Sequence, residues 1–212
     1  MSTPSTGIPP TTTGRVLRAS RGLRAVLALT ATLVTGTDVS AHRTEGYLQA
    51  ARIDLEPDRA LITLDLTPGI AVADSFMTAL DHDRDGVLSA EEQRAYAAQV
   101  TRALTLEVDE RALQPRVLSW RYPDLSALHR GEGTIRLRVQ AAFPTVSAGS
   151  HRVRFRNAHL AGHSAYLANA LVPESPRVRV TAQRRASDQS ALTIEYVVLD
   201  SNKDISLDMS GR

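Results

Sequence analysis

The chain has 212 residues, of which 42% are hydrophobic and 23% are charged, a balance typical of a globular protein rather than of a disordered or membrane chain. A globular part of about 170 residues buries roughly 70% of its unfolded surface, so folding alone requires neither a disulfide nor a metal. The absence of cysteine excludes disulfides, thiolate metal sites and cysteine nucleophiles, so any bound metal must take oxygen or nitrogen ligands.

The N-terminus has the pattern of a secretory signal, which we predict over residues 1–41. Four arginines precede an apolar run from Ala25 to Val34, and segment 39–41 supplies small or modest side chains for a cleavage site. The apolar run is shorter than the roughly 20 residues that span a bilayer, although an uncleaved membrane anchor is the alternative interpretation. Export predicts a periplasmic or extracellular protein with no membrane span after signal cleavage.

Removal of this leader changes the charge balance. The leader holds four of the 25 basic residues and one of the 23 acidic residues, which leaves 21 and 22 in the mature chain, a net charge of −1. Charge therefore predicts no nucleic-acid partner.

In chain order, the mature protein begins with two predicted strands, Tyr47 to Leu55 and Ala60 to Leu66. After a break at Pro68-Gly69, the spacing of apolar residues predicts a helix over Ala71–Leu80, and a run of good helix formers predicts another over Ala90–Leu104. Short β-forming segments separated by Gly, Pro, Ser or Asp then fill the rest of the chain. They are Leu104–Val108, Arg116–Tyr122, Thr134–Ala142, His151–Arg156, Ala165–Leu171, Val178–Gln183 and Leu192–Leu199.

This order of elements predicts a mainly β fold, an antiparallel β-sandwich with one helix–loop–helix inserted after its second strand. We assign residues 42–199 to the sandwich domain, 71–104 to the insert and 200–212 to a polar C-terminal tail.

Arginine takes every second place in three of the predicted strands, within residues 135–139, 152–156 and 177–180. Side chains alternate across a strand, so the apolar residues face the core and the arginines face the other side. We interpret this pattern as a solvated outer face whose acidic neighbours the sequence does not place, and an anion-binding surface is the alternative.

The segment from Asp81 to Glu92 carries the clearest chemical signal. It reads DHDRDGVLSAEE, with carboxylates at positions 1, 3, 5 and 12 and Gly86 at position 6. Side chains at positions 1, 3 and 5 reach one point when the backbone curls at a residue that tolerates positive φ, and a hard cation such as Ca²⁺ takes six to eight oxygen ligands. The carbonyl of position 7, a water held at position 9 and a bidentate carboxylate at position 12 complete the set. The predicted metal ligands are Asp81, Asp83, Asp85, Val87, Ser89 and Glu92.

These twelve residues, with about ten on either side, closely resemble the EF-hand family. The resemblance implies a bound Ca²⁺ and an apolar residue, Leu88, at position 8. Ser89 and Glu92 also have the spacing of a helix capping box. EF-hands normally pair through position 8, and no complete second loop follows, so we expect Leu88 to pack on the β-domain.

A partial second loop begins at Asp200, with oxygen ligands at the same spacing and Asp208 at position 9. Ile205 stands in place of the required glycine, and Gly211 stands in place of the closing glutamate. We therefore interpret this segment as a solvated tail, with weak calcium binding as the alternative.

Histidines offer two further hypotheses. His42 would be the first residue after cleavage, where its amine and imidazole can chelate copper or nickel. His151, His159 and His163 lie close in sequence, where zinc ligation or a general base is one interpretation and scattered surface or turn histidines are the simpler one. No Gly-x-Ser-x-Gly, phosphate loop or dinucleotide fingerprint is present in the sequence, so we predict no catalytic residue.

The wider segments 157–159 and 164–173 are similar to a group of bacterial exported proteins that combine one EF-hand-like loop with a β-rich domain. The resemblance implies export and calcium binding and implies no enzyme activity. We therefore expect an exported, non-enzymatic calcium-binding protein whose ion is structural or meets an unidentified envelope protein. The alternatives are a cell-envelope enzyme with a structural calcium, and a periplasmic copper- or nickel-handling protein that uses His42.

Overall fold

The computed structural model of the chain describes residues 46–200. The signal predicted at residues 1–41, His42 and the tail beyond Asp200 lie outside this range, so what we predict for them stays a prediction. Among the described residues, no helix is both long enough and apolar enough to cross a lipid bilayer.

The described part of the chain is mainly β, as predicted, with ten strands and three α-helices. The helices are α1 (Ala73–Leu80), α2 (Ala90–Arg102) and α3 (Leu125–His129), and a 3-10 turn at Ile70–Val72 precedes α1. The strands are β1 (Tyr47–Leu55), β2 (Arg59–Pro68), β3 (Leu104–Val108), β4 (Arg111–Ala112), β5 (Arg116–Arg121), β6 (Ile135–Ala142), β7 (Gly149–Asn157), β8 (Ser164–Ala170), β9 (Val178–Arg185) and β10 (Ala191–Val198).

All nine predicted strands and both predicted helices are present, with boundaries close to those expected. The last turn predicted for the second helix was wrong, because Leu104 already belongs to β3. Two elements were not predicted, α3 and the two-residue strand β4. The latter pairs with β3 across a turn in which Asp109 and Glu110 both have positive φ, and two residues are too few to show a strand period.

The strands form two five-stranded sheets. The first sheet has the order β5-β6-β2-β1-β8 and the second has the order β4-β3-β7-β10-β9. Neighbouring strands are antiparallel except β1 and β8, which run parallel with Tyr47 opposite Ser164. The parallel pair brings the turn before β8 to the start of β1, where the Tyr47 amide donates to the His163 carbonyl over 3.0 Å.

Alternate residues of the strands form one buried core. In β2 every second side chain is buried from Ala60 to Leu66, and β10 repeats this pattern from Leu192 to Val198. Phe76 of α1 belongs to the same buried cluster as the strand residues. Burial of a large apolar side chain contributes about 1.5–3 kcal/mol, so the helices are anchored by the same core that holds the sheets.

The alternating arginines of β6 and β7 lie on the exposed side of their strands, and three of them pair with acidic residues. In the first sheet, Asp65 accepts from Arg136 Nε over 2.6 Å and contacts Arg52 over 2.8 Å. In the second sheet, Glu107 pairs with Arg154, and Glu195 pairs with Arg152 and Arg184. Exposed pairs of this kind contribute about 0–1 kcal/mol each, as expected for a solvated outer face.

Candidate metal centre

The predicted metal loop connects α1 to α2, and both of its ends are fixed by hydrogen bonds of the helices. At the start, the amide of Asp81 donates to the Met77 carbonyl over 2.8 Å, and the Asp81 backbone then turns to an extended conformation. At the end, Ser89 is the N-cap of α2, and its hydroxyl accepts from the Glu92 amide over 3.2 Å. The predicted capping box is confirmed in full.

Glu92 closes the loop through both of its carboxylate oxygens. Oε2 accepts from the amide and the hydroxyl of Ser89, over 2.9 and 2.8 Å, and Oε1 accepts from the His82 amide over 2.6 Å. The side-chain hydrogen bond from Ser89, followed by the two backbone amides, lowers the pKa of Glu92. Glu92 therefore stays ionised and holds the first and last turns of the loop together.

The three loop aspartates converge, as predicted. One carboxylate oxygen from each of Asp81, Asp83 and Asp85 lies within 4.8 Å of the other two. Gly86 has a φ of +77°, which confirms the role predicted for the glycine, and its amide donates to Asp81 Oδ2 over 3.1 Å. Arg84 also adopts positive φ, so the curl uses two left-handed residues. Backbone amides thus orient the carboxylates toward one region.

Asp81 provides the clearest indication that the group fits a cation. Its side chain is buried, with 8% exposure, and Oδ1 has no hydrogen-bond partner among the described residues. A buried polar atom without a partner costs about 1–3 kcal/mol, and more when it is charged. A cation bound by Oδ1 removes this cost, so the residues present fit a metal ion.

The electrostatics of Asp83 point in the same direction. The Asp85 amide lowers its pKa, but desolvation and the negative charges of Asp85 and Glu92 outweigh this bond, so that the pKa of Asp83 is raised overall. The carboxylates therefore repel one another, and a divalent cation would relieve that repulsion.

Two further predicted ligand residues, Val87 and Ser89, make hydrogen bonds inside the loop. The Val87 amide donates to Asp85 Oδ1 over 2.7 Å while its side chain is exposed, and the hydroxyl of Ser89 is bonded to Glu92. The described geometry therefore gathers the three aspartates and sets Glu92 at the closing position. Leu88 packs against the core cluster, as predicted for the position-8 residue.

Gln93, Trp120 and Tyr122, which no sequence pattern indicated, attach the C-terminal end of the loop to the first sheet. Gln93 donates through Nε2 to the Leu88 carbonyl over 3.0 Å and accepts from Trp120 Nε1 over 3.1 Å. The Tyr122 hydroxyl donates to the carbonyl of Gln93 over 2.8 Å. Trp120 belongs to β5, which lies 27 residues further along the chain, so periodicity within the helix could not indicate this contact.

The histidines serve different local roles. His151 is bonded through Nδ1 to Asp109 and through Nε2 to the Ser147 carbonyl, so neither ring nitrogen is available as a base. His159 and His163 both lie in the turn after β7, as the simpler interpretation predicted, but His159 is buried, with 3% exposure, whereas His163 is exposed. Across residues 46–200, the only convergent group of three or more His, Asp or Glu ligands is the aspartate trio.

Comparisons with protein-family models, with curated proteins and with solved structures found no match for this chain. Function is therefore inferred from the chemistry of the loop itself.

Proposed function

We propose that this chain is an exported protein that binds one Ca²⁺ in the loop from Asp81 to Glu92. In this proposal the loop and its two helices form an EF-hand-like insert in an antiparallel β-sandwich. The observation that carries the proposal is the buried, unpartnered Oδ1 of Asp81 beside two further converging carboxylates. The alternating burial in β2 and β10 supports two sheets that share one core.

The donor set favours calcium over other metals. The side chains of the predicted ligand set are carboxylates and one hydroxyl, and hard cations prefer such oxygen ligands. Zinc and copper favour imidazole or thiolate, which the aspartate trio does not provide. Mg²⁺ demands near-ideal octahedral geometry and releases its water reluctantly, whereas Ca²⁺ accepts six to eight ligands in a flexible arrangement.

The ion would act on the part of the insert that joins α1 to α2. Asp81 ends α1 and Glu92 lies in the first turn of α2, so an ion that binds both would fasten the two helices to each other. Exported calcium modules typically bind at about 10⁻⁴–10⁻³ M. Binding only to the folded state then stabilises it by about 1–3 kcal/mol in calcium-rich surroundings, which suits a structural or partner-organising role.

The test is a titration of the chelator-treated protein with calcium, magnesium, copper and nickel in parallel, followed by calorimetry and by thermal unfolding. We expect calcium to bind one ion per chain and to raise the melting temperature, with magnesium weaker. Stabilisation by copper or nickel alone would favour the alternative site at His42. Failure to take up any divalent ion at millimolar concentration would refute the proposal.

A further inference from the structure

A buried chain of polar groups links the start of β1 and helix α2 to the turn after β7. The hydroxyls of Tyr47 and Tyr96 are 2.6 Å apart, and the Tyr96 hydroxyl is 3.0 Å from Nε2 of His159. All three side chains are buried. Burial lowers the pKa of His159 to about 4, so its ring is neutral at physiological pH. We call these three residues the Tyr–Tyr–His chain.

A second set of buried hydrogen bonds holds His159 in position. Its amide donates to Asn157 Oδ1 over 3.0 Å, and its carbonyl accepts from Gln49 Nε2 over 2.7 Å and from the Tyr166 hydroxyl over 2.8 Å. Asn157 in turn donates to Gln49 Oε1 over 2.8 Å. Gln49 and Asn157 are almost fully buried, and such a network is favourable only when its members are satisfied. The backbone at His159 is therefore rigidly placed.

The Tyr–Tyr–His chain lines a cavity of about 300 Å³. α1 contributes Phe76 and Ala79 to the wall, and no aspartate, glutamate, lysine or arginine is among the described residues that line it. Ligand pockets in proteins start at about 300 Å³, and an apolar cavity of about 150 Å³ already admits benzene. The size and lining of the cavity therefore suit an uncharged compound with one ring.

The hydrogen bonds leave capacity for one further polar group. If Nε2 of His159 accepts a hydrogen bond from Tyr96, then the Tyr47 hydroxyl donates to Tyr96. The lone pairs of the Tyr47 oxygen then have no donor within the chain. If the chain runs in the opposite direction, the hydroxyl proton of Tyr47 has no acceptor within the chain. A ligand hydroxyl complements either direction, because it both donates and accepts.

We propose that this cavity binds a small uncharged compound that has an aromatic ring and a hydroxyl group, a simple phenol in chemical class. Its ring would pack against Phe76, Tyr47 and Tyr96, where offset and edge-to-face contacts are favourable. Its hydroxyl would join the Tyr–Tyr–His chain. An anion of the same size would bind more weakly, because no lysine or arginine lines the described cavity to pair with it.

The cavity shares both helices with the metal loop. Phe76 and Ala79 precede Asp81 on α1, and Tyr96 follows Glu92 by one turn on α2. An ion that holds Asp81 and Glu92 together would therefore also fix two walls of the cavity. This coupling rests on the proposed function. We expect bound calcium to raise the affinity for the phenol by about fivefold or more, and bound phenol to raise the affinity for calcium by the same factor.

The test is an amide NMR titration of the ¹⁵N-labelled protein with p-cresol at about pH 8, where ordinary histidines are neutral, first with chelator and then with calcium. We expect saturable shifts with a Kd on the order of 1 mM or lower. Benzoate, which is charged, should bind about tenfold more weakly.

Two variants of α1 locate the site. Ala79→Phe should lower the affinity for p-cresol by about tenfold or more, because it places a ring in the cavity. Thr78→Phe adds the same ring at the neighbouring exposed position, which does not line the cavity, and should leave the affinity unchanged.

The outcomes separate this proposal from the calcium proposal. The cavity proposal is overturned if p-cresol gives no saturable shifts at about 10 mM, or if both phenylalanine variants weaken it equally. Calcium uptake without p-cresol binding would overturn the cavity site alone. Saturable p-cresol binding without calcium uptake would support the cavity site and refute the proposed function. Equal p-cresol affinity with and without bound calcium would refute the coupling.

Discussion

The metal loop and the Tyr–Tyr–His chain are both polar, but their residues are brought together in different ways. The loop draws its polar groups from twelve consecutive residues that are mostly exposed, whereas Tyr47 and Tyr96 are 49 positions apart and Tyr96 and His159 are 63 apart. In the loop, carboxylates repel and one oxygen of Asp81 lacks a partner among the described residues. In the Tyr–Tyr–His chain, by contrast, the two hydroxyls and the imidazole are uncharged and bond to one another. We therefore expect the stability of the loop, but not that of the Tyr–Tyr–His chain, to depend on a bound ion.

The largest expected effect is a loss of folding stability in acid, caused by His159 of the Tyr–Tyr–His chain. Burial lowers the pKa of His159 from 6.5 to about 4, so as pH falls the unfolded protein takes up this proton before the folded protein does. The stability from His159 is complete above about pH 6.5 and is lost as pH falls toward 4, by on the order of 3 kcal/mol. Urea unfolding across this range, with chelator present, measures it.

A pair of histidine variants sharpens this result. His159→Gln should flatten the dependence of unfolding free energy on pH, whereas His163→Gln, at an exposed position, should keep the original slope. An unchanged slope in His159→Gln would show that the buried neutral histidine does not set the acid response.

The next largest effect is expected from removal of the central hydroxyl of the chain. Tyr96→Phe should destabilise the protein by about 1–3 kcal/mol, equally with calcium and with chelator, because Tyr47 and His159 lose their common partner. Tyr196→Phe is the matched control, since the buried hydroxyl of Tyr196 has no hydrogen-bond partner among the described residues. The Tyr196→Phe substitution should leave the free energy of unfolding unchanged or raise it. Chemical unfolding measures both variants, and an equal loss of stability in the two would contradict the role given to Tyr96.

In the loop, Glu92→Gln should weaken calcium binding about tenfold, which corresponds to about 1.4 kcal/mol, because a charged ligand with two oxygens is lost. Glu91→Gln, on the exposed neighbouring residue, removes the same charge and should change the affinity little. Calorimetric titration compares the two. Unchanged affinity in Glu92→Gln would remove the closing ligand from the proposal.

The smallest effect is expected from Asp81→Asn, and its sign should depend on the ion. With chelator the variant should be as stable as the original or more stable by up to about 1 kcal/mol, because one of three converging charges is gone. With calcium it should be less stable than the original. Asp74→Asn, an exposed acidic position on α1, should show no such reversal in thermal unfolding.

Much of the fold was predictable because its signals are local. Alternating apolar residues in β2 and β10 and the helix formers of α2 identified these elements. The capping box at Ser89 and the positive φ of Gly86 also followed from residue type at fixed spacing. The burial of His159 was not predictable, because nothing in its neighbours along the chain indicates which distant side chains surround it.

The sequence by itself determined that the three loop aspartates converge, since they lie within five consecutive residues and their spacing around Gly86 brings them together. It also determined which strand faces are exposed to solvent, because side chains alternate with a period of two. Only the tertiary structure decided that β8 runs parallel to β1, that Trp120 meets Gln93, and that two tyrosines and a histidine share hydrogen bonds around a cavity. These contacts depend on the order of strands in the sheets, which local periodicity does not encode.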